Sequence, residues 1–192
     1  MPPLVASATA RARRAGFPFS CDPAVGRLLA VLAAHLPDGA RALELGTGAG
    51  VGTAWIVSAL LPRNAVTVIT VEMAPETAAL AAKEAWPGFV DLRCADALET
   101  MNGAGQFDLI FADAQGGKWE GLDRTIAALG PHGMLMVDDM TAVPEWPAEQ
   151  RSRQSNVRQT LLSSPLLTSI ELSHGSGVIL STRLDGVGLQ GR

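Results

Sequence analysis

Residues 42–53 read ALELGTGAGVGT. Gly46, Gly48, Gly50 and Gly52 alternate behind a short apolar run that carries one carboxylate, Glu44. Glycine has no Cβ and accepts positive φ, so a ligand can lie against the backbone of such a bend. A helix starting beyond it offers unpaired N–H groups. Strand, glycine bend and helix together read as a nucleotide-binding turn. The dinucleotide fingerprint is G-x-G-x-x-G. Counted from Gly46 its third glycine falls on Val51, and counted from Gly48 on Thr53, so it fails in both registers. No Gly-Lys-Ser/Thr follows, and the phosphate-loop signature fails too. The pattern left is E-x-G-x-G-x-G.

More carboxylates follow apolar runs further on: Glu72, Asp96, Asp113 and the pair Asp138-Asp139. Glu44 sits inside its run, where a carboxylate is costly unless paired or hydrogen-bonded. Three aspartates brought together would repel one another without a cation. Lys118 lies five residues after Asp113. The histidines, His35, His132 and His174, are scattered and form no HExxH or HxH pattern, which argues against a nitrogen/sulfur zinc site. With no tyrosine in the chain, proton chemistry here cannot use a phenol.

The elements that position these residues alternate. Asp22 caps a helix with Pro23 at its first position, ending near Pro37-Asp38-Gly39. Strands are predicted at 41–45, 65–71, 89–93, 107–112 and 133–137. Helices are predicted at 53–61, 75–86, 119–129 and 148–163. Strands at 166–172 and 177–182, joined by SHGS, read as a closing hairpin. This is an α/β order: a doubly wound, Rossmann-like, mostly parallel seven-stranded sheet with an antiparallel C-terminal hairpin strand. In such sheets ligands bind beyond the carboxyl ends of the strands, where the acids fall. Residues 1–20 are expected to be a flexible, loosely packed segment, with Arg11, Arg13 and Arg14 on a solvated face. Residues 21–184 form the domain, and 185–192 a frayed tail.

The chain has 192 residues and a net charge of −4, enough for one domain and too acidic for a broad nucleic-acid footprint. Its two cysteines, Cys21 and Cys94, make no CxxC and read as small buried hydrophobes in a reducing, cytoplasmic setting. No stretch is apolar enough to span a membrane.

E-x-G-x-G-x-G followed by Glu72, Asp96-Ala97 and Asp113 resembles the class I S-adenosylmethionine-dependent methyltransferases. That resemblance implies S-adenosyl-L-methionine as cofactor and S-adenosyl-L-homocysteine as product. The residues it assigns to the cofactor are Glu44, Gly46, Thr47, Gly48, Gly50, Gly52, Glu72, Met73, Asp96, Ala97 and Asp113. Glu72 would hold the ribose hydroxyls, and Asp96 and Ala97 the adenine. The ligand carries a sulfonium and an ammonium and no phosphate, so nearby carboxylates suit it.

The stretch FDLIFADAQGGKWEGLDRTIAALGPHGMLMVDDM (107–140) is similar to the small-molecule O-methyltransferases of the catechol and caffeoyl-coenzyme A type, in a bacterial subgroup. In that family three such ligands hold Mg2+ against two acceptor hydroxyls; the matching residues are Asp113, Asp138 and Asp139. Asp139 stands where those enzymes have asparagine. Gly116 stands where they place a lysine, with Lys118 two residues later. Without a metal, Asp113 or Asp139 would act as general base and Lys118 would stabilise the forming phenolate. The implied reaction is methyl transfer to a hydroxyl of a small aromatic molecule, by a homodimer with no nucleic-acid or membrane partner. A noncatalytic S-adenosylmethionine-binding module and a NAD-linked oxidoreductase stay open as alternatives.

Overall fold

The computed structural model describes residues 1–184. The expected frayed tail from Asp185 lies outside the described residues. Seven strands form one sheet: β1 (Arg41–Leu45), β2 (Thr67–Glu72), β3 (Val90–Cys94), β4 (Phe107–Ala112), β5 (Leu129–Val137), β6 (Leu167–Leu172) and β7 (Val178–Arg183). Their order is β3-β2-β1-β4-β5-β7-β6. The first five pair in parallel, and β7 runs antiparallel to both β5 and β6. Strand order reverses between β1 and β4, which opens a crevice at their carboxyl ends.

Period-two alternation sorts the strand residues onto two apolar cores. On one face Ala42, Val68, Leu109, Phe111 and Met136 pack under α1 (Pro3–Arg14), α2 (Pro23–Ala34) and α3 (Val51–Leu60). On the other, Leu43, Val71, Ile110, Ala112 and Leu135 pack under α5 (Ala97–Met101), α6 (Leu122–Ala127) and α7 (Ala148–Ser163). Helix α4 (Pro75–Ala81) connects β2 to β3. Asp22 caps α2 as its sequence suggests, accepting the N–H of Ala24 at 2.6 Å.

Four local expectations are corrected. Within the segment 1–20, α1 is not loosely packed: its Val5, Ala8 and Ala12 are buried, and so is Arg11, placed on a solvated face by its charge. Its guanidinium donates to the Glu84 carboxylate at 2.7 Å and to the Ala49 carbonyl at 3.1 and 3.3 Å. That pairing is what makes burying an arginine tolerable. Second, α6 starts at Leu122 and not at Trp119, because the N–H groups of Trp119 and Glu120 both turn back onto the Gln115 carbonyl. Third, α5 was not expected; Asp96 caps it, accepting from Leu98 and Glu99. Fourth, Cys94 is exposed, while Cys21 is buried.

Candidate active site

A cavity of about 650 Å³ opens at the carboxyl edge of β1, β2, β4 and β5. Gly46, Gly48, Glu72, Met73, Asp96 and Ala97 line one end. Asp113, Lys118, Trp119, Asp138, Asp139 and Ser176 line the other. Phe17 and Phe19 join the wall, their rings meeting edge-on at 6.0 Å.

At the glycine end, the buried carboxylate of Glu44 is held by hydroxyl groups. β1 and β2 pair so that Glu44 lies beside Thr70. The Thr70 hydroxyl donates to Glu44 Oε2 at 2.6 Å, and the Thr53 hydroxyl donates to the same oxygen. Thr47 Oγ1 lies 2.5 Å from Thr70 Oγ1 and ties the bend to this net. Glu44 Oε1 is buried without a partner. Burial pushes the Glu44 carboxyl up to about 7, against the opposing hydroxyl bonds. Gly52 sits so close that a Cβ there would strike Glu44 Oε1, which explains this glycine by packing. Glu72 reaches over the bend: Oε2 accepts the Gly48 N–H at 3.0 Å and Oε1 the Ala74 N–H at 2.9 Å.

The other end is built on charge. Asp113, Asp138 and Asp139 offer carboxylate oxygens all within 4.8 Å of one another. Lys118 enters among them and is only 2% exposed. Its ammonium donates to Asp139 Oδ2 at 2.7 Å and to the Asp138 carbonyl at 3.4 Å, and stands 3.7 Å from Asp113 Oδ1. Burial raises the Asp113 carboxyl well above the usual range, with Lys118 pulling it back. Burial also raises Asp138, opposed by the Ser176 hydroxyl and the Asp139 N–H. Asp139 has φ 60, a left-handed backbone that Asp and Asn tolerate better than most side chains. Its carbonyl accepts the Gln154 amide at 2.7 Å.

The lysine's reach comes from a glycine turn. Gly117 has φ +89, and a Cβ there would collide with Leu45. Its N–H bonds the Glu120 carbonyl at 2.7 Å, and its own carbonyl accepts the Thr125 hydroxyl at 2.7 Å. The turn folds Lys118 back toward the acids, so the displaced lysine still reaches them.

A sequence profile of the methyltransferase domain matches residues 43–140, from β1 to just past β5. The chain belongs to this methyltransferase-domain family. A catechol O-methyltransferase of Niastella koreensis is 35% identical over 143 residues, covering 69% of this chain and 63% of that protein. The match thus spans less than two thirds of the relative's length. Among solved structures, the O-methyltransferase from Bacillus cereus in complex with SAH superposes with a TM-score of 0.81 at 18% identity, over 95% of this chain and 91% of that one. The O-methyltransferase TomG from Streptomyces achromogenes, in complex with SAM, gives 0.77 at 22% identity, over 96% and 91%. At these identities the likeness is one of fold.

In this methyltransferase domain the residues anticipated from sequence divide. Gly46, Gly48, Glu72, Met73, Asp96, Ala97, Asp113, Lys118, Asp138 and Asp139 share the cavity wall. Glu44, Thr47, Gly50 and Gly52 stand behind it; Gly50 packs near Trp86 and Arg11. Their place is to shape the bend. Sequence reasoning missed Phe17, Phe19 and Ser176 on the wall and Thr53 and Thr70 against Glu44. The aromatic run FPF (17–19) and the β1–β2 register were the available signals.

Proposed function

We propose that this domain transfers a methyl group from S-adenosylmethionine to a hydroxyl of a small aromatic molecule. The observation that carries the reading is Glu72. One carboxylate bridges the Gly48 and Ala74 N–H groups at the cavity edge, fixed beside the glycine bend where two ribose hydroxyls would need an acceptor. Family membership, the printed name of the catechol relative and the SAM- and SAH-bound neighbours support the same class.

When bound, the cofactor supplies an electrophilic methyl on sulfonium. Glu72 would hold the sugar, and Asp96 with the Ala97 N–H, at the head of α5, would hold the adenine. Phe17, Phe19 and Trp119 offer ring faces to an aromatic acceptor. Asp113, made more basic by burial, accepts the hydroxyl proton, with Asp139 as the nearby alternative. Lys118 stabilises the negative oxygen that results. Positioning of the acceptor by these residues would supply much of the acceleration.

The donor oxygens at the acidic end are of the hard type magnesium prefers. The Lys118 ammonium, however, already stands 2.7 Å from Asp139 Oδ2 and 3.7 Å from Asp113 Oδ1, so the set as it stands does not fit the ion. The reading includes a homodimer without nucleic-acid or membrane partners; no helix among the described residues is long and apolar enough to cross a membrane.

The test is calorimetry with S-adenosylhomocysteine on the wild type, Glu72→Ala and Asp113→Ala, followed by turnover on a panel of catechols and phenols. Wild-type binding near micromolar, about −8 kcal/mol, is expected. Glu72→Ala should weaken it about a hundredfold. Wild-type protein that binds no S-adenosylhomocysteine would remove the proposal.

A further inference from the structure

The Lys118 ammonium has three N–H bonds, and its three nearest recorded acceptors all belong to the acidic cluster: Asp139 Oδ2, the Asp138 carbonyl and Asp113 Oδ1. The side chain is buried, and its charge also lies 4.9 Å from the centre of the Trp119 ring. We infer that Lys118 is the resident cation of the Asp113–Asp138–Asp139 cluster: it holds the place a divalent ion would take, and removing it creates a divalent-cation site. The inference rests on the methyl-transfer reading for its catalytic meaning.

The physical case is one of exclusion. Magnesium needs its oxygens at about 2.0–2.1 Å in a near-octahedral set. An ion drawing on Asp113 and Asp139 at that distance would crowd an ammonium already 2.7 Å from Asp139. Two cations that close, in a partly buried site, repel strongly. For the ion to enter, Lys118 must leave. Its backbone is pinned by the Gly117 turn, which is locked by Leu45, Thr125 and Glu120, and the residue is buried. The lysine is tethered, so it is present at any free-metal concentration. Take it away and the Asp113 and Asp139 carboxylates lose their shared counter-charge, with a carboxylate oxygen of Asp138 within 4.8 Å of theirs. A divalent ion bound by these oxygens would restore it.

The experiment uses Mn2+ as probe, followed by calorimetry and by the loss of the free-ion paramagnetic resonance signal. Wild type, Lys118→Ala, Lys118→Met and Lys118→Ala/Asp139→Ala are compared, with circular dichroism as the check on folding. Wild type is expected to bind no Mn2+ up to about 1 mM. Each single variant should bind one ion with a Kd of about 10⁻⁴ M or tighter, the range of a simple oxygen site. The double variant should lose it. Stoichiometric Mn2+ binding by wild type, within about threefold of the single variants, overturns the inference. So does a folded Lys118→Ala or Lys118→Met that binds none. The wild-type arm decides even where a variant fails to fold. S-adenosylhomocysteine titrated into the wild type separates the two claims: its failure falls on the methyl-transfer reading, while the Mn2+ arms still judge Lys118.

Discussion

The two ends of the cavity each hold carboxylates, buried or half-buried, and stabilise them by opposite means. At the glycine end, Glu44 accepts the hydroxyls of Thr53 and Thr70, and burial raises its carboxyl to about 7. At the acidic end, the Asp113 and Asp139 carboxylates and the Asp138 carbonyl gather around one ammonium. Hydroxyl donors can serve a neutral carboxyl or a charged one, so the glycine end needs shape and hydrogen bonds. An ammonium serves its partners through charge, so the acidic end needs a cation of fixed position. The scaffold of the bend is therefore predicted to tolerate loss of charge, and the acidic cluster is not.

The contrast is tested most severely by Lys118→Met, which keeps the stem and deletes the charge. It should lower turnover about 10²–10³-fold, as loss of an electrostatic stabiliser does. S-adenosylhomocysteine affinity, measured beside it, should change far less. Equal losses in both would mean that the ends are not separable.

Next is Glu44→Gln. Unfolded, the Glu44 carboxyl titrates near 4.5, and folded near 7. Between those values the folded chain binds more protons than the unfolded chain. Stability from this group is therefore complete below about 4.5 and is lost as pH rises through 7, by at most about 3 kcal/mol. Burial of Asp113 and Asp138 adds to the slope with the same sign, so the difference between wild type and variant isolates Glu44. Urea unfolding from pH 4.5 to 8 should show a shallower fall for the glutamine variant, which at pH 8 should match or exceed wild type. A fall as steep as wild type's would place the titrating group elsewhere.

Gly52→Ala comes third. Its methyl group would displace the Glu44 carboxylate from the threonine hydroxyls, at about 1–3 kcal/mol, read as a lower urea midpoint. A silent substitution would mean that the net is loose. The mildest change is Arg11→Gln, which loses the charge that ties α1 to Ala49 and Glu84. We expect S-adenosylhomocysteine to bind about fivefold more weakly, the equivalent of about 1 kcal/mol.

Much of this was legible in the chain. β1 and β4 fall where their apolar runs lie, and α7 where its polar helix was placed. The acids mark strand ends because a strand leaving a buried sheet must meet solvent or ligand there. What escaped is long-range. Arg11 reads as surface until Glu84, seventy-three residues away, is brought beside it. Trp119 looked helical because its local pattern is helical, while the Gln115 carbonyl collects its N–H into a turn. Lys118 sat at the wrong count from Asp113, and only the Gly117 turn and its fit against Leu45 correct that count in space. The glycines were rightly noticed, but two of the four serve the protein's own side chains and not the ligand wall.

The Arg11 clamp has a practical reach. Its guanidinium grips the carbonyl of Ala49, the residue between Gly48 and Gly50, so the first helix is tied to the glycine bend. A trimmed start that removed Arg11 would therefore loosen that bend while leaving every wall residue untouched.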